Sequence, residues 1–333
     1  MKSKLIIGIA ATAIVGAALA WILLRLDWQE FAARLAGASP TGLALMALAW
    51  MSSMLMRPVR FRFLLNVLGK VQGANYRTIW GAMVLGLAVN SFLPMRAGDL
   101  VVAAFLRQRL RVDMHRTFTV IVADWACDFL CVSTVFLGAL AFAPVVAAWT
   151  DRAIFVLIAL LIAGAIAVSA VVRYRVGVLT LTDLFLARVF PRWRARGHEI
   201  AQEVLDGLAI IGAWRTAVPL LLISATVWGL MGLSYWFGLR AVFPEAPAAA
   251  AAFNVSAVTL SFAIPLGLGG MGAFEAASVL SLALFGIPLE AAIAFAVIAH
   301  AFQLGSVILF TTAALLTGQI DYRSLRPAPE KQR

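Results

Sequence analysis

Charge is what this sequence has least of. Only 13% of its residues are charged, about half the share of a soluble domain, while 63% are hydrophobic and the mean hydropathy is +0.94. That balance excludes a water-soluble enzyme, and the longest polar stretch, roughly Arg173–Arg215, is too short for a separate catalytic domain. Cysteine is nearly absent as well. Cys127 and Cys131 stand four apart in one apolar run, and three histidines do not complete a zinc set, so neither a metal nor a cofactor is expected. The sequence offers no nucleophile–base pair and no Walker motif, and no catalytic residue is assigned. Gly267-x-Gly269-x-x-Gly272 has dinucleotide-fingerprint spacing, but it follows an apolar membrane run rather than a strand.

What is plentiful is long apolar runs. Leu5–Leu24 spans 20 residues, enough to cross a bilayer. It follows Lys2 and Lys4 and contains a signal-peptidase-like Ala18-Leu19-Ala20, yet its unbroken length favours an uncleaved first helix. Further runs cover about Thr41–Met56, Thr78–Pro94, Thr117–Pro144, Ala153–Val172, Thr216–Leu239, Ala248–Pro265, Glu275–Phe285 and Ala291–Leu316. The class is therefore an all-α polytopic membrane protein, a single integral domain over 1–333.

The net charge of +11 belongs to the loops of such a protein rather than to nucleic-acid binding. Arginine and lysine gather in Arg57–Thr78, Arg107–Arg116, Arg173–Arg215 and the tail 317–333, and the other connections are poor in cations. The positive-inside rule places the rich set, with both termini, in the cytoplasm. Thr78–Arg111 then enters and leaves on one side as a re-entrant hairpin, and Ala248–Phe285 does the same from the other side. Two inverted repeats follow, about 5–144 and 153–316. Arg57–Arg77, with Phe61, Phe63 and Tyr76, is expected to lie at the cytoplasmic interface against anionic lipid.

Each hairpin is broken by proline and glycine. Ser91-Phe92-Leu93-Pro94 leads into Arg96, Gly98 and Asp99; Ser261-Phe262-Ala263-Ile264-Pro265 leads into Gly267, Gly269, Gly270, Gly272 and Glu275. A helix interrupted at membrane depth frees backbone groups that must find protein, water or ligand, so paired interruptions point to a binding site. Arg96 suits a phosphate or carboxylate through its planar fork and stands three residues from Asp99, close enough to pair on one turn. The helix that starts near Ala273 offers free N–H groups to an anion. Asp124 lies 25 residues beyond Asp99, and His300 lies 25 residues beyond Glu275, its candidate partner. Asp128, one turn from Asp124, shares its face, and two acids on one face must point into the bundle. Arg96, Gly98, Asp99, Gly269, Gly270, Gly272 and Glu275 are the candidate substrate-binding set. Asp124, Asp128 and His300 are candidates for gating or proton coupling.

These residues resemble the lysylphosphatidylglycerol synthase transmembrane family, a flippase-like domain. LPMRAGDLVVAAFL is similar to its Pro-x-Arg-x-Gly-Glu segment, with Asp99 for the glutamate. LGGMGAFEAASVLSLALFGIPLEAAIAFAVI is similar to its Gly-Gly-x-Gly-x-x-Glu block. Other positions depart from the pattern: Val102 and His300 stand where the family often has arginine, and its Glu-Arg-x-x-Asp becomes Asp124-Trp125-Ala126-Cys127-Asp128. The resemblance implies a stand-alone translocating domain without the aminoacyl-transferase module, placed in a bacterial inner membrane. A membrane lipid is the implied substrate and lipid-synthesis enzymes are the implied partners. The expected function is binding and translocation of an amphiphilic, phosphate-containing lipid. The alternatives are a membrane-embedded transferase acting on a lipid carrier, using Asp128 or Glu275 as base, and a non-catalytic scaffold for lipid synthesis.

Overall fold

The computed structural model describes residues 24–68, 71, 74–92, 96–140, 142, 170, 173–189, parts of 191–207, 213–261 and 272–320. The runs Leu5–Leu23 and Ala153–Val172 (Ala170 aside), the proline tip Leu93–Met95, the stretch 262–271 with Gly267, Gly269 and Gly270, and the tail from 321 lie outside the described residues.

The described residues include ten helices that can be delimited from end to end. A short helix, α1 (Trp28–Ala36), starts at Asp27, whose carboxylate accepts the N–H groups of Gln29 and Glu30. The others are α2 (Pro40–Val67), α3 (Tyr76–Phe92), α4 (Ala97–Leu110), α5 (Met114–Leu140), α6 (Arg175–Val189), α7 (Trp214–Val242), α8 (Ala248–Ser261), α9 (Ala273–Ala283) and α10 (Leu289–Leu316). Among the described residues the protein is helical and has no strand. Four of these helices, α2, α5, α7 and α10, have 27 to 29 residues and are apolar enough to cross a membrane. At 1.5 Å per residue each is about 40 Å long, beyond the ~30 Å hydrocarbon core. By contrast α8 has 14 residues and α9 has 11, which is too short to cross.

The helix α2 runs past the end expected at Met56, through Pro58 and on to Val67. The outer faces of the long helices carry large apolar side chains in the open, among them Leu48, Leu55, Phe129, Leu130, Leu221, Leu222, Ile308 and Leu309. A bundle made for water would hide these; lipid solvates them.

Inside, α2 and α7 lie antiparallel along their length. The Ser234 hydroxyl donates to the carbonyl of Met46, and the Ser53 hydroxyl donates to the carbonyl of Val227, both at 2.9 Å. The short helices pack in pairs, α3 on α4 and α8 on α9. In the first pair the backbones nearly touch. A Cβ on Gly98 would run into the carbonyl oxygen of Gly86, and the Gly98 N–H donates to Asn90 Oδ1 at 2.7 Å. In the second, Asn254 of α8 donates to the Ser278 carbonyl at 3.1 Å and to the Ser281 hydroxyl at 2.7 Å. An asparagine thus clamps each pair, Asn254 fully buried and Asn90 half-buried.

Candidate functional site

Asp124 and Asp128 recur one turn apart on α5, and the helix opposite brings arginines at matching height. Arg60 of α2 is 0% exposed, and its Nε donates to Asp124 Oδ1 at 2.7 Å. Its Nη2 lies 2.7 Å from Asp128 Oδ1, close as a charge contact but off the N–H axis. Arg57 Nη1 donates to Asp128 Oδ2 at 3.4 Å, and Trp228 of α7 donates its indole N–H to Asp128 Oδ1 at 2.9 Å. Arg57 also lies over the Trp228 ring, 5.4 Å from its centroid. Two cations balance two anions, so the cluster carries no net charge. Electroneutrality is what lets ionised groups remain in a bundle surrounded by lipid. The expectation that Arg57–Arg77 lies at an interface fails for its first members, because Arg60 is buried and Arg57 points inward.

The first hairpin candidates sit at the α3–α4 junction. Arg96 holds a left-handed backbone (φ 53°) at the N-cap of α4, and Asp99 falls in the first turn. They do not form an ion pair within 4 Å. The Arg96 guanidinium lies instead over the Trp125 ring, 4.7 Å from its centroid, with the residue exposed. Asp99 has Arg96 as its opposite charge, the Asn90 side chain within hydrogen-bonding reach, Asp124 as a like-charged neighbour, and its Oδ2 buried without a hydrogen-bond partner. Gly98 lies at the close crossing with Gly86.

The second group joins α9 to α10. Glu275 Oε2 accepts the N–H of Gly272, which has φ 82°, at 2.7 Å, while Oε1 faces His300 Nδ1 at 2.6 Å. The carboxylate therefore occupies the helix start that was expected to receive a ligand anion. His300 is 4% exposed and stacks on Phe274, with centroids 4.7 Å apart. It stands near the middle of α10. Its Nε2 is buried and has no hydrogen-bond partner. Gly269 and Gly270 lie outside the described residues.

Sequence reasoning missed Arg57, Arg60, Asn90, Trp125 and Trp228. Two arginines three apart and two aspartates four apart, each pair on one helical face, were the available signal for the first cluster. Among the described residues no group of three or more metal-ligating side chains occurs.

The family model described as the lysylphosphatidylglycerol synthase TM region matches residues 6–310 of the 333. No curated protein matches the chain.

Proposed function

Because the chain belongs to the lysylphosphatidylglycerol synthase TM region family, we propose that it binds an amphiphilic lipid with a phosphate-containing head group and moves it between leaflets. The observation that supports this is that scarce charged groups stand at the starts of two short helices in a bundle whose outer face is apolar. Arg96 and Asp99 open α4, and Glu275 opens α9. In a membrane bundle, charge at interrupted helices is the usual place for a polar substrate.

The packing supports two repeats of opposite orientation, each with a re-entrant hairpin. Exchanging the halves maps several of the helix contacts onto one another: α2 on α5 corresponds to α7 on α10, and α2 on α3 to α7 on α8. Likewise α4 on α5 corresponds to α9 on α10, and α5 on α8 to α10 on α3. The head group would enter between the two tips with its tails left in the bilayer. Asp99, Asp124, Asp128 and His300 would couple its passage to protons, and arginine-rich loops would face a bacterial cytoplasm. Anionic lipids would gather at that face, and lipid-synthesis enzymes would be the neighbours.

A transferase needs a carboxylate base within reach of a substrate hydroxyl. Asp128 is held by Arg57, Arg60 and Trp228, and Glu275 by His300 and Gly272, which leaves both poorly placed for that work.

Reconstitution into liposomes with head-group-labelled lipids tests the proposal. Protein-dependent exchange between leaflets, reduced in Arg96→Ala and Glu275→Gln, is expected. Exchange no faster than in empty liposomes for every phosphate-bearing lipid tried overturns it.

A further inference from the structure

Glu275 and His300 share one proton-bearing contact, and its geometry leaves one atom over. The carboxylate accepts on both oxygens, from Gly272 N–H and from His300 Nδ1. The imidazole therefore presents Nε2 as its remaining valence, buried and unpartnered in a residue only 4% exposed. A buried nitrogen without a partner is destabilising, and more so if it is charged. Phe274 against the ring face and the Glu275 bond fix the direction in which Nε2 points.

From this we infer that His300 is a ligand-binding residue whose imidazolium Nε2–H donates to a phosphodiester oxygen of the lipid head group, with Glu275 as its positioning residue. The inference rests on reading the chain as a lipid carrier and adds to that reading the atom and the charge state that hold the phosphate. When His300 is protonated, it and Glu275 cancel, and Nε2–H makes a charge-assisted bond. When the proton leaves, Nε2 becomes an acceptor facing an acceptor, beside an uncompensated carboxylate. Binding is therefore stronger to the imidazolium than to the neutral ring. A phosphodiester keeps its charge at any pH a protein tolerates, so the ligand contributes no slope of its own.

The ion pair that Glu275 and His300 make, among the described residues, is with each other. Among the described residues, α9 brings Glu275 itself, and α7 brings Tyr235 against Phe295. From α1, Asp27 meets Glu290 at the start of α10. Arg77 of α3 lies one turn before Gly81, which meets Gln319 past the other end.

The test measures binding of dihexanoyl phosphatidylglycerol to the full-length protein in detergent between about pH 5.5 and 9. Dimethyl phosphate and dihexanoylglycerol serve as the free-diester and phosphate-free arms. Two variants separate the ring nitrogens. His300→Asn keeps an amide where Nδ1 meets Glu275 and loses the distal donor; His300→Gln reaches the Nε2 position with a donor that does not titrate. Wild-type affinity is expected to fall by at least about tenfold across the range, the worth of one charge-assisted bond. His300→Asn should be weaker than wild type by a similar factor at low pH while keeping its thermal stability. His300→Gln should bind with no pH slope.

A flat wild-type profile overturns the inference, as does wild-type affinity in His300→Asn. Dimethyl phosphate binding as tightly as the lipid, or dihexanoylglycerol showing the same pH profile, overturns it too. Leaflet exchange that persists with such a flat profile removes this inference alone. The expected binding pattern without any leaflet exchange keeps His300 as a phosphate contact and removes translocation.

Discussion

His300 Nδ1 lies 2.6 Å from Glu275 Oε1, and this contact ties the middle of α10 to the first turn of α9. The carboxylate caps Gly272 with its other oxygen, so one side chain holds both a helix start and an interhelical bond. Glu275→Ala removes both. It should destabilise the fold by roughly 2–4 kcal/mol, the sum of a cap and a buried polar contact. Glu275→Gln keeps an acceptor for Gly272 and should lose less. Unfolding in mixed micelles, followed by tryptophan fluorescence, orders the two. Equal losses would show that the cap contributes nothing.

The arginine–aspartate cluster makes the opposite kind of prediction, because its members matter as a balanced set. Arg60→Met leaves Asp124 buried without a counter-charge and should cost about 3–5 kcal/mol. Adding Asp124→Leu removes the stranded charge and leaves Arg57 with Asp128, so the double variant should recover most of that loss. A double-mutant cycle in the same micelles measures the recovery. A double variant as unstable as the sum of its single changes would mean that Arg60 and Asp124 do not act together.

Gly98 gives a packing test with an internal control. A methyl group there meets the Gly86 carbonyl, and neither backbone can yield without parting α3 from α4. Gly98→Ala should therefore cost about 1–3 kcal/mol or more. Gly138 of α5 has no atom within 4 Å of an added Cβ, so Gly138→Ala should be neutral or stabilise by up to about 1 kcal/mol. Yield and thermal stability of the two variants decide it; similar behaviour would leave the close crossing without energetic weight.

Much of the fold was legible because lipid imposes a simple code of long apolar runs. The same code hid the end of α2. Arg57, Pro58, Arg60 and Arg62 look like a cytoplasmic boundary when counted as charges and a helix breaker. The helix continues through them because α5 supplies Asp124 and Asp128 at the right height, a fact of tertiary contact that no local window contains. The equal spacing from Asp99 to Asp124 and from Glu275 to His300 did carry information, since Glu275 and His300 meet and Asp99 and Asp124 are electrostatic neighbours. Arg96 and Asp99 interact as charges but make no contact within 4 Å, for a local reason. Arg96 precedes the helix with positive φ, so the two side chains do not share a helical face, and the guanidinium turns to Trp125. Which face of a cap residue is free depends on one backbone angle, and sequence spacing assumes the helical value.

That geometry leads to a separation of function from stability at Arg96. The residue is exposed, and the contact it makes is with the Trp125 ring rather than with a carboxylate. Its hydrogen-bonding groups remain available to a phosphate, and removing them takes a charge partner, but no hydrogen bond, from Asp99. An exposed cation–π contact is worth about 0.5–1 kcal/mol, so Arg96→Ala should barely move the unfolding transition. Leaflet exchange should nonetheless fall at least about tenfold, the loss of one charge-assisted contact to the substrate. Arg96→Lys keeps the charge without the planar fork and should fall between. Trp125→Leu frees the guanidinium from its ring and should disturb exchange more than stability. If Arg96→Ala exchanges lipid at the wild-type rate, the cation at the start of α4 holds no head group, and the phosphate contact must be sought at α9 and α10 alone.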